Sequence, residues 1–230
     1  MLDELKRRVY DANLKLVEEG LVVRTFGNAS GIDRTAGRVV IKPSGVPYAD
    51  LEPKHMVVVS LENGSVIGGN LRPSSDTPTH LILYRAFRDI GGVVHTHSSF
   101  ATGWAQAGRS IPIYGTTHAD HLAEDVPCTA VMSDEAVRRD YEVETGELIL
   151  ECFKGRDPLH TPMVLVAGHG PFTWGETPEK AVYNAAVLEE LARMAFVTHA
   201  LDPAAQRLPD SLIRKHFERK HGKDAYYGQR

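Results

Sequence analysis

The sequence predicts an α/β fold whose sheet is built largely from antiparallel strands. Three observations carry this. Apolar residues at helical spacing open the chain (Leu2, Leu5, Val9, Ala12, Leu16), and a second such face runs through Ala181, Ala185, Leu188, Leu191 and Ala195. Between them, β-branched runs flank Glu62-Asn63-Gly64, and Asn-Gly in that setting is a strong hairpin signal. The 230 residues suit one domain spanning 1–230, ample for a sizeable core.

Taken in order, the opening helix should end at Gly20, a residue free to adopt the left-handed cap. Leu21 to Phe26 reads as a strand delivering Gly27-Asn28-Ala29-Ser30-Gly31, a small-residue segment where backbone can approach a ligand closely. A turn through Gly37 leads to a strand at Arg38–Lys42 and then to Pro43-Ser44-Gly45, which by itself is a turn signal. The hairpin joins Met56–Ser60 to Ser65–Gly68. In Pro73-Ser74-Ser75-Asp76-Thr77-Pro78, Ser, Asp and Thr are N-cap candidates and Pro78 suits a first helical turn, with Leu81, Tyr84 and Phe87 as the buried stripe that follows.

Gly91-Gly92-Val93-Val94-His95-Thr96-His97 is the next strand, and Ser98 to Gln106 reads as a helix. A strand at Ile111–Tyr114 leads to the polar stretch Gly115 to His121. From Ser133 to Phe153 two helical pieces are expected, broken near Thr145-Gly146. Met163–Ala167 is a continuous apolar run, hence a buried strand, ending in Gly168-His169-Gly170-Pro171. Thr177-Pro178-Glu179 starts the long second helix, and after Asp202 to Pro209 a shorter basic helix should stop at Gly222.

Bulk properties exclude several classes. Hydrophobic residues at 42% and charged residues at 24% are ordinary globular values, no apolar run approaches a membrane span, and the charged N-terminus lacks a signal-peptide core, so a cytoplasmic protein is expected. Cys128 and Cys152 have no CxxC spacing, which speaks against a disulfide framework or a thiolate zinc site. A net charge of −4 argues against nucleic acid as a partner. The basic run Arg214, Lys215, His216, Arg219, Lys220, His221 is then a solvated helix face or an anion-binding flank.

The chain's chemistry centres on its 11 histidines. In a strand, His95 and His97 project from one face, so both imidazoles can reach one divalent ion; a polar strand face is the alternative. His169, between two glycines at a strand end, supplies a third imidazole. Nitrogen and oxygen ligands suit Zn²⁺, Mn²⁺ and Co²⁺ alike. Ser74 and Ser75 beside a helix N-terminus form a ready phosphate site, next to which Asp76 calls for a nearby cation. Asp120 at a strand end is either a surface turn residue or a displayed catalytic group. The two tail tyrosines, Tyr226 and Tyr227, are either packed or functional.

These motifs coincide in order: Gly27-Asn28-Ala29-Ser30, Lys42-Pro43-Ser44-Gly45, Pro73 to His80, His95-Thr96-His97-Ser98, Thr116 to Asp120, Gly168 to Pro171, and Lys220-His221-Gly222 through Tyr226-Tyr227-Gly228. Together they resemble the class II aldolase and adducin family, from the first helix to the terminal Tyr-Tyr-Gly, and more narrowly its pentulose-phosphate 4-epimerase branch. The resemblance implies a three-layer α/β/α domain around a mixed, mostly antiparallel sheet, assembled as a homotetramer with active sites between subunits. It implies that His95, His97 and His169 bind Zn²⁺ or a similar ion with Asp76 as an additional ligand. It also implies that Gly27, Asn28, Ser44, Gly45, Ser74 and Ser75 hold the sugar phosphate, and that Asp120 and Tyr227 are paired acid/base groups. The implied reaction is retro-aldol cleavage between C3 and C4, rotation of the aldehyde, and recombination on its other face. A true aldolase of the same family, of the fuculose 1-phosphate type, is the nearest rival; those carry glutamate where this chain has Asp76. An adducin-like scaffold would not need the three histidines, and a zinc hydrolase of the His-Glu-x-x-His type lacks its motif here.

Overall fold

A computed structural model describes residues 2–223, 225 and 226. Seven strands form one sheet: β1 Asn28–Asp33, β2 Arg38–Ile41, β3 Val57–Ser60, β4 Val66–Gly68, β5 Gly92–His95, β6 Met163–Val166 and β7 Gly170–Gly175, in the order β4-β3-β2-β1-β5-β7-β6. Every strand pair is antiparallel. The parallel component of the expected mixed sheet is confined to the isolated bridge between Cys128 and Leu165.

Alternation along the strands sorts the core into two faces. Val39, Val57, Val59 and Val93 pack with Leu81 and Tyr84 of helix α2 (Thr77–Ala86), Ile149 of α6 (Tyr141–Cys152) and Phe153 just past its end. Their neighbours Val40, Val58 and Val94 turn the other way, towards Leu5, Val9 and Leu16 of α1 (Leu2–Glu18) and Ala181 to Ala185 of α7 (Pro178–Leu201). Three layers result. Gly92 permits the close approach of α7, since a Cβ there would stand 2.5 Å from the Pro178 nitrogen and the Thr177 carbonyl. The remaining helices are α3 (Ser99–Gln106), α4 (Thr116–Ala119), α5 (Asp134–Arg139) and the basic α8 (Asp210–His221).

Three local expectations are corrected and one strand is added. Residues 21–26 form no strand: Arg24 takes a left-handed φ of 57° and Phe26 N–H closes a turn on Val23 O at 3.0 Å, so the first strand begins at the small residues Asn28 to Gly31 instead. Ile111–Tyr114 makes only an isolated bridge between Ile111 and Val126. The break between the middle helices falls at Asp140, whose carboxylate caps α6 by accepting from Val143 N–H, while Thr145-Gly146 lies inside α6, where Gly146 admits Ile82. Finally, residues 170–175 form the buried strand β7, hidden from periodicity because Gly170-Pro171 looks like a turn.

Candidate active site

The sheet centre ends in histidines. His95 closes β5, His97 follows two residues later, and His169 lies on the β6–β7 turn, where β7 pairs with β5 and sets His95 against Phe172. Their ligand nitrogens all lie within 4.8 Å of one another, the only cluster of metal-ligating groups found among the described residues. His95 Nδ1 donates to the Pro171 carbonyl at 2.9 Å, which leaves Nε2 as the lone-pair side. That Nε2 faces His97 Nε2 at 3.0 Å, and two lone pairs so placed are reconciled by one shared cation or proton. Phe172 stacks on the His95 ring at 4.2 Å.

Burial pushes the imidazole of His169 down to about 4, with His95 and His97 adding to the effect, and lowers that of His97 as well. Both are therefore neutral near pH 7, as ligands must be. His169 Nδ1 is buried and has no hydrogen-bond partner among the described residues. The donor set and its neutrality fit a zinc-like ion.

Asp76 sits at the N-cap of α2 but makes no cap bond. Its carboxylate instead accepts from the Asn28 amide at 2.6 Å and from the Ser74 hydroxyl at 3.4 Å. Burial opposes its ionisation, but His95, His80 and the Asn28 amide outweigh that and hold its pKa below the usual carboxylate range. One α-helical turn on, His80 is fully buried, and burial pushes it down to about 3.

The cluster opens into a cleft of about 490 Å³. All four expected metal ligands, His95, His97, His169 and Asp76, line it, as do Gly27, Asn28, Ser44, Gly45, Ser74 and Ser75. Gly27 adopts φ 75°, and a Cβ there would stand 2.9 Å from the His95 carbonyl, so the backbone must pass bare beside the histidine. Sequence reasoning left six wall residues unassigned: Thr25, Phe26, Lys42, Pro43, Tyr141 and Glu142. Lys42 had a signal, being a lysine at the end of an apolar strand. Only 2% exposed, it lies 3.4 Å from the carbonyls of Thr25 and Pro43 and 4.7 Å from the Tyr48 ring centroid, and burial pushes it down to about 8. A larger groove of about 850 Å³ between α1 and α7 contains no histidine.

Asp120 is not on the cleft wall. It follows α4 and is gripped by α8: Arg219 donates to both carboxylate oxygens at 2.9 and 2.7 Å, and His216 Nδ1 stands 2.9 Å from Oδ1. Burial works against its ionisation, yet these bonds hold its pKa low. Tyr226 N–H donates to the Arg219 carbonyl at 3.1 Å, so the tail runs beside this cluster. Tyr227 lies outside the described residues.

Comparison with known proteins places these features among relatives. Residues 7–196 match the family described as "Class II Aldolase and Adducin N-terminal domain". Over 229 residues, covering 100% of both chains, the sequence is 52% identical to proteins named L-ribulose-5-phosphate 4-epimerase UlaF in Salmonella paratyphi B and Salmonella typhi. Among solved structures, an L-fuculose 1-phosphate aldolase aligns with TM-score 0.79 at 25% identity over 94% of this chain and 95% of its own. The L-fuculose-1-phosphate aldolase of Thermus thermophilus aligns with TM-score 0.66 at 25% identity, covering 89% of this chain and 98% of its own.

Proposed function

The chain belongs to the class II aldolase and adducin family, and from that membership we propose how its cleft works as an L-ribulose-5-phosphate 4-epimerase, interconverting that sugar and D-xylulose 5-phosphate. The single observation that carries the substrate assignment is the 52% identity, end to end, to proteins of that name.

The inverted carbon is not adjacent to the carbonyl, so its C–H is not acidic and simple proton removal cannot invert it. Breaking the C3–C4 bond avoids the problem. Removal of the C4 hydroxyl proton turns that carbon into an aldehyde, and the bonding pair stays on the three-carbon fragment as an enediolate. Rotation of the aldehyde, re-addition from its other face and return of a proton give the opposite configuration. A divalent ion, Zn²⁺ or else Mn²⁺ or Co²⁺, held by His95, His97 and His169 with Asp76 as a further ligand, supplies Lewis-acid stabilisation of the negative charge.

The chain's own residues do the rest. Gly27, Asn28, Ser44, Gly45, Ser74 and Ser75 grip the phosphate, which keeps the aldehyde fragment from escaping and separates an epimerase from a net aldolase. Lys42 adds the positive charge on that wall. Asp120 and Tyr227 exchange the C4 proton on opposite faces. On this reading the two act on a neighbouring copy in a cytoplasmic homotetramer, and for Asp120 its place off the wall of its own chain's cleft supports this. The fuculose-type aldolase is the second reading, favoured by the structural likeness at TM-score 0.79. Asp76 in place of that group's glutamate, and the Tyr226-Tyr227-Gly228 ending, favour the epimerase.

The purified protein should convert L-ribulose 5-phosphate to D-xylulose 5-phosphate in a coupled assay, and a strong chelator should abolish the conversion. Steady release of glycolaldehyde phosphate without xylulose product would make it an aldolase instead.

A further inference from the structure

Behind the cleft, from Asn28 and Asp76 on its wall, runs a buried polar chain whose inner members Ser30, His80 and Tyr84 do not line it. Asp76 and His80 are four residues apart on α2 and therefore share a helix face. They meet Asn28 and Ser30, two apart on β1, whose side chains share one face of the sheet. Asn28 bonds Asp76 at 2.6 Å, and Ser30 Oγ stands 2.7 Å from His80 Nδ1 and 2.8 Å from Tyr84 OH. Ser30, His80 and Tyr84 are all 0% exposed. Three polar groups buried in an apolar layer weaken a fold unless each is satisfied, so what the chain does beyond packing needs an account.

The direction of its protons follows from its ends. Ser30 Oγ is the side-chain partner of Tyr84 OH, so the phenolic proton goes to Ser30. Ser30 then passes its own proton to His80 Nδ1, and the ring carries its hydrogen on Nε2. The reverse order would strand the phenolic proton and leave a bare Nε2 lone pair on a ring whose electrostatic neighbour is the Asp76 carboxylate. His80 Nε2 is buried and has no hydrogen-bond partner among the described residues. The ring also meets Phe172 edge-on, with centroids 6.1 Å apart, and Phe172 is the ring stacked on His95.

We propose that His80 is a positioning residue of the cation site: the Tyr84–Ser30 chain fixes it as the Nε2–H tautomer, which presents a positive dipole end to Asp76 and braces His95 through Phe172. It touches neither substrate nor ion. The inference rests on the metal-centre reading and sharpens it, because it ties the affinity for the ion to a side chain outside the cleft.

The test uses the full chain and Zn²⁺ alone, with no assay of turnover. Long-range ¹H–¹⁵N NMR of histidine-labelled protein should report His80 as the Nε2–H tautomer; the Nδ1–H tautomer overturns the proposal. By competition against a chelator, His80→Leu should bind Zn²⁺ about 10–100-fold more weakly, the usual cost of losing a group that orients ligands. His80→Gln, which keeps a donor near the Nε2 position, should recover most of that loss, which a merely structural role would not predict. Wild-type affinity in His80→Leu refutes the idea. If that variant does not fold, the NMR result and the Zn²⁺ affinity of Ser30→Ala, expected to fall in the same direction, decide the matter. Failure of the wild-type chain to bind Zn²⁺ at all is a distinct result that removes the metal-centre reading, and this proposal with it.

Discussion

Replacing Lys42 with methionine should make the protein more stable and a worse enzyme. The ammonium is only 2% exposed and is met by two carbonyls at 3.4 Å, long for hydrogen bonds, so the fold presses its pKa from 10.5 down to about 8. Below pH 8 the group is charged in both the folded and the unfolded chain, and its desolvation weighs fully against folding. Between about 8 and 10.5 the folded chain sheds the proton while the unfolded chain keeps it, so this penalty fades as pH rises. At about 1.4 kcal/mol per pH unit between about 8 and 10.5 the penalty at pH 7 is at most about 3.5 kcal/mol. Methionine fills similar space without the charge and gives up the Tyr48 ring contact, worth about 0.5–2 kcal/mol. The net gain should be about 1–2 kcal/mol at pH 7, or about 2–8 °C in Tm, shrinking towards zero at pH 10.5. Urea or thermal unfolding of both proteins across pH 7 to 10.5 measures it, alongside a rise in KM for the sugar phosphate. A variant less stable than wild type at pH 7, or a difference that does not change with pH, would mean that the buried charge is not what the fold works against.

Three further outcomes are expected. His97→Ala should lose activity and retain less than one zinc per chain by elemental analysis, because it removes one of the three clustered imidazoles and leaves two with only the Asp76 carboxylate beside them; full zinc content in that variant would contradict the assignment. Tyr227→Phe should slow epimerisation about 10²–10⁴-fold at unchanged metal content, the effect of losing an acid/base group, and wild-type rates would remove Tyr227 from the mechanism. Gly92→Ala, although distant from substrate, should cost at least about 3 kcal/mol in thermal unfolding, since its methyl would meet the Pro178 and Thr177 backbone, which cannot move aside as a flexible side chain would; an unchanged Tm would show that α7 can retreat.

Much of this was legible in the sequence because the relevant signals are local. The hairpin at Asn63-Gly64, the helix stripes of α1 and α7, and the projection of His95 and His97 to one side all follow from spacing alone. What failed depended on tertiary context. Leu21 to Phe26 has strand composition, yet no neighbour pairs with it, and the left-handed turn at Arg24 leaves β1 to residues of poor strand propensity that the sheet centre needs small. β7 was hidden because Gly170 and Pro171 read as a turn although β6 pairs with both and β5 pairs with the residues that follow them. Lys42 was passed over because a lysine ending a strand is ordinarily solvated, and only the packing of Tyr48 and the Thr25 carbonyl against it makes it buried. Asp120 was singled out by motif, but its partners on α8, about 100 residues away, could not be read from spacing.

The placement of the two halves of the cleft has a bearing on how it can change over time. His95 belongs to a strand hydrogen-bonded on both sides, whereas Ser44, Gly45, Ser74 and Ser75 lie in connections between elements. The cleft thus has a stiff floor and an editable rim. Loops accept substitution far more readily than central strands do. On such a scaffold one sugar phosphate could be exchanged for another by rewriting the rim with the floor kept intact, and two solved structures 25% identical to this chain are named for a different sugar phosphate.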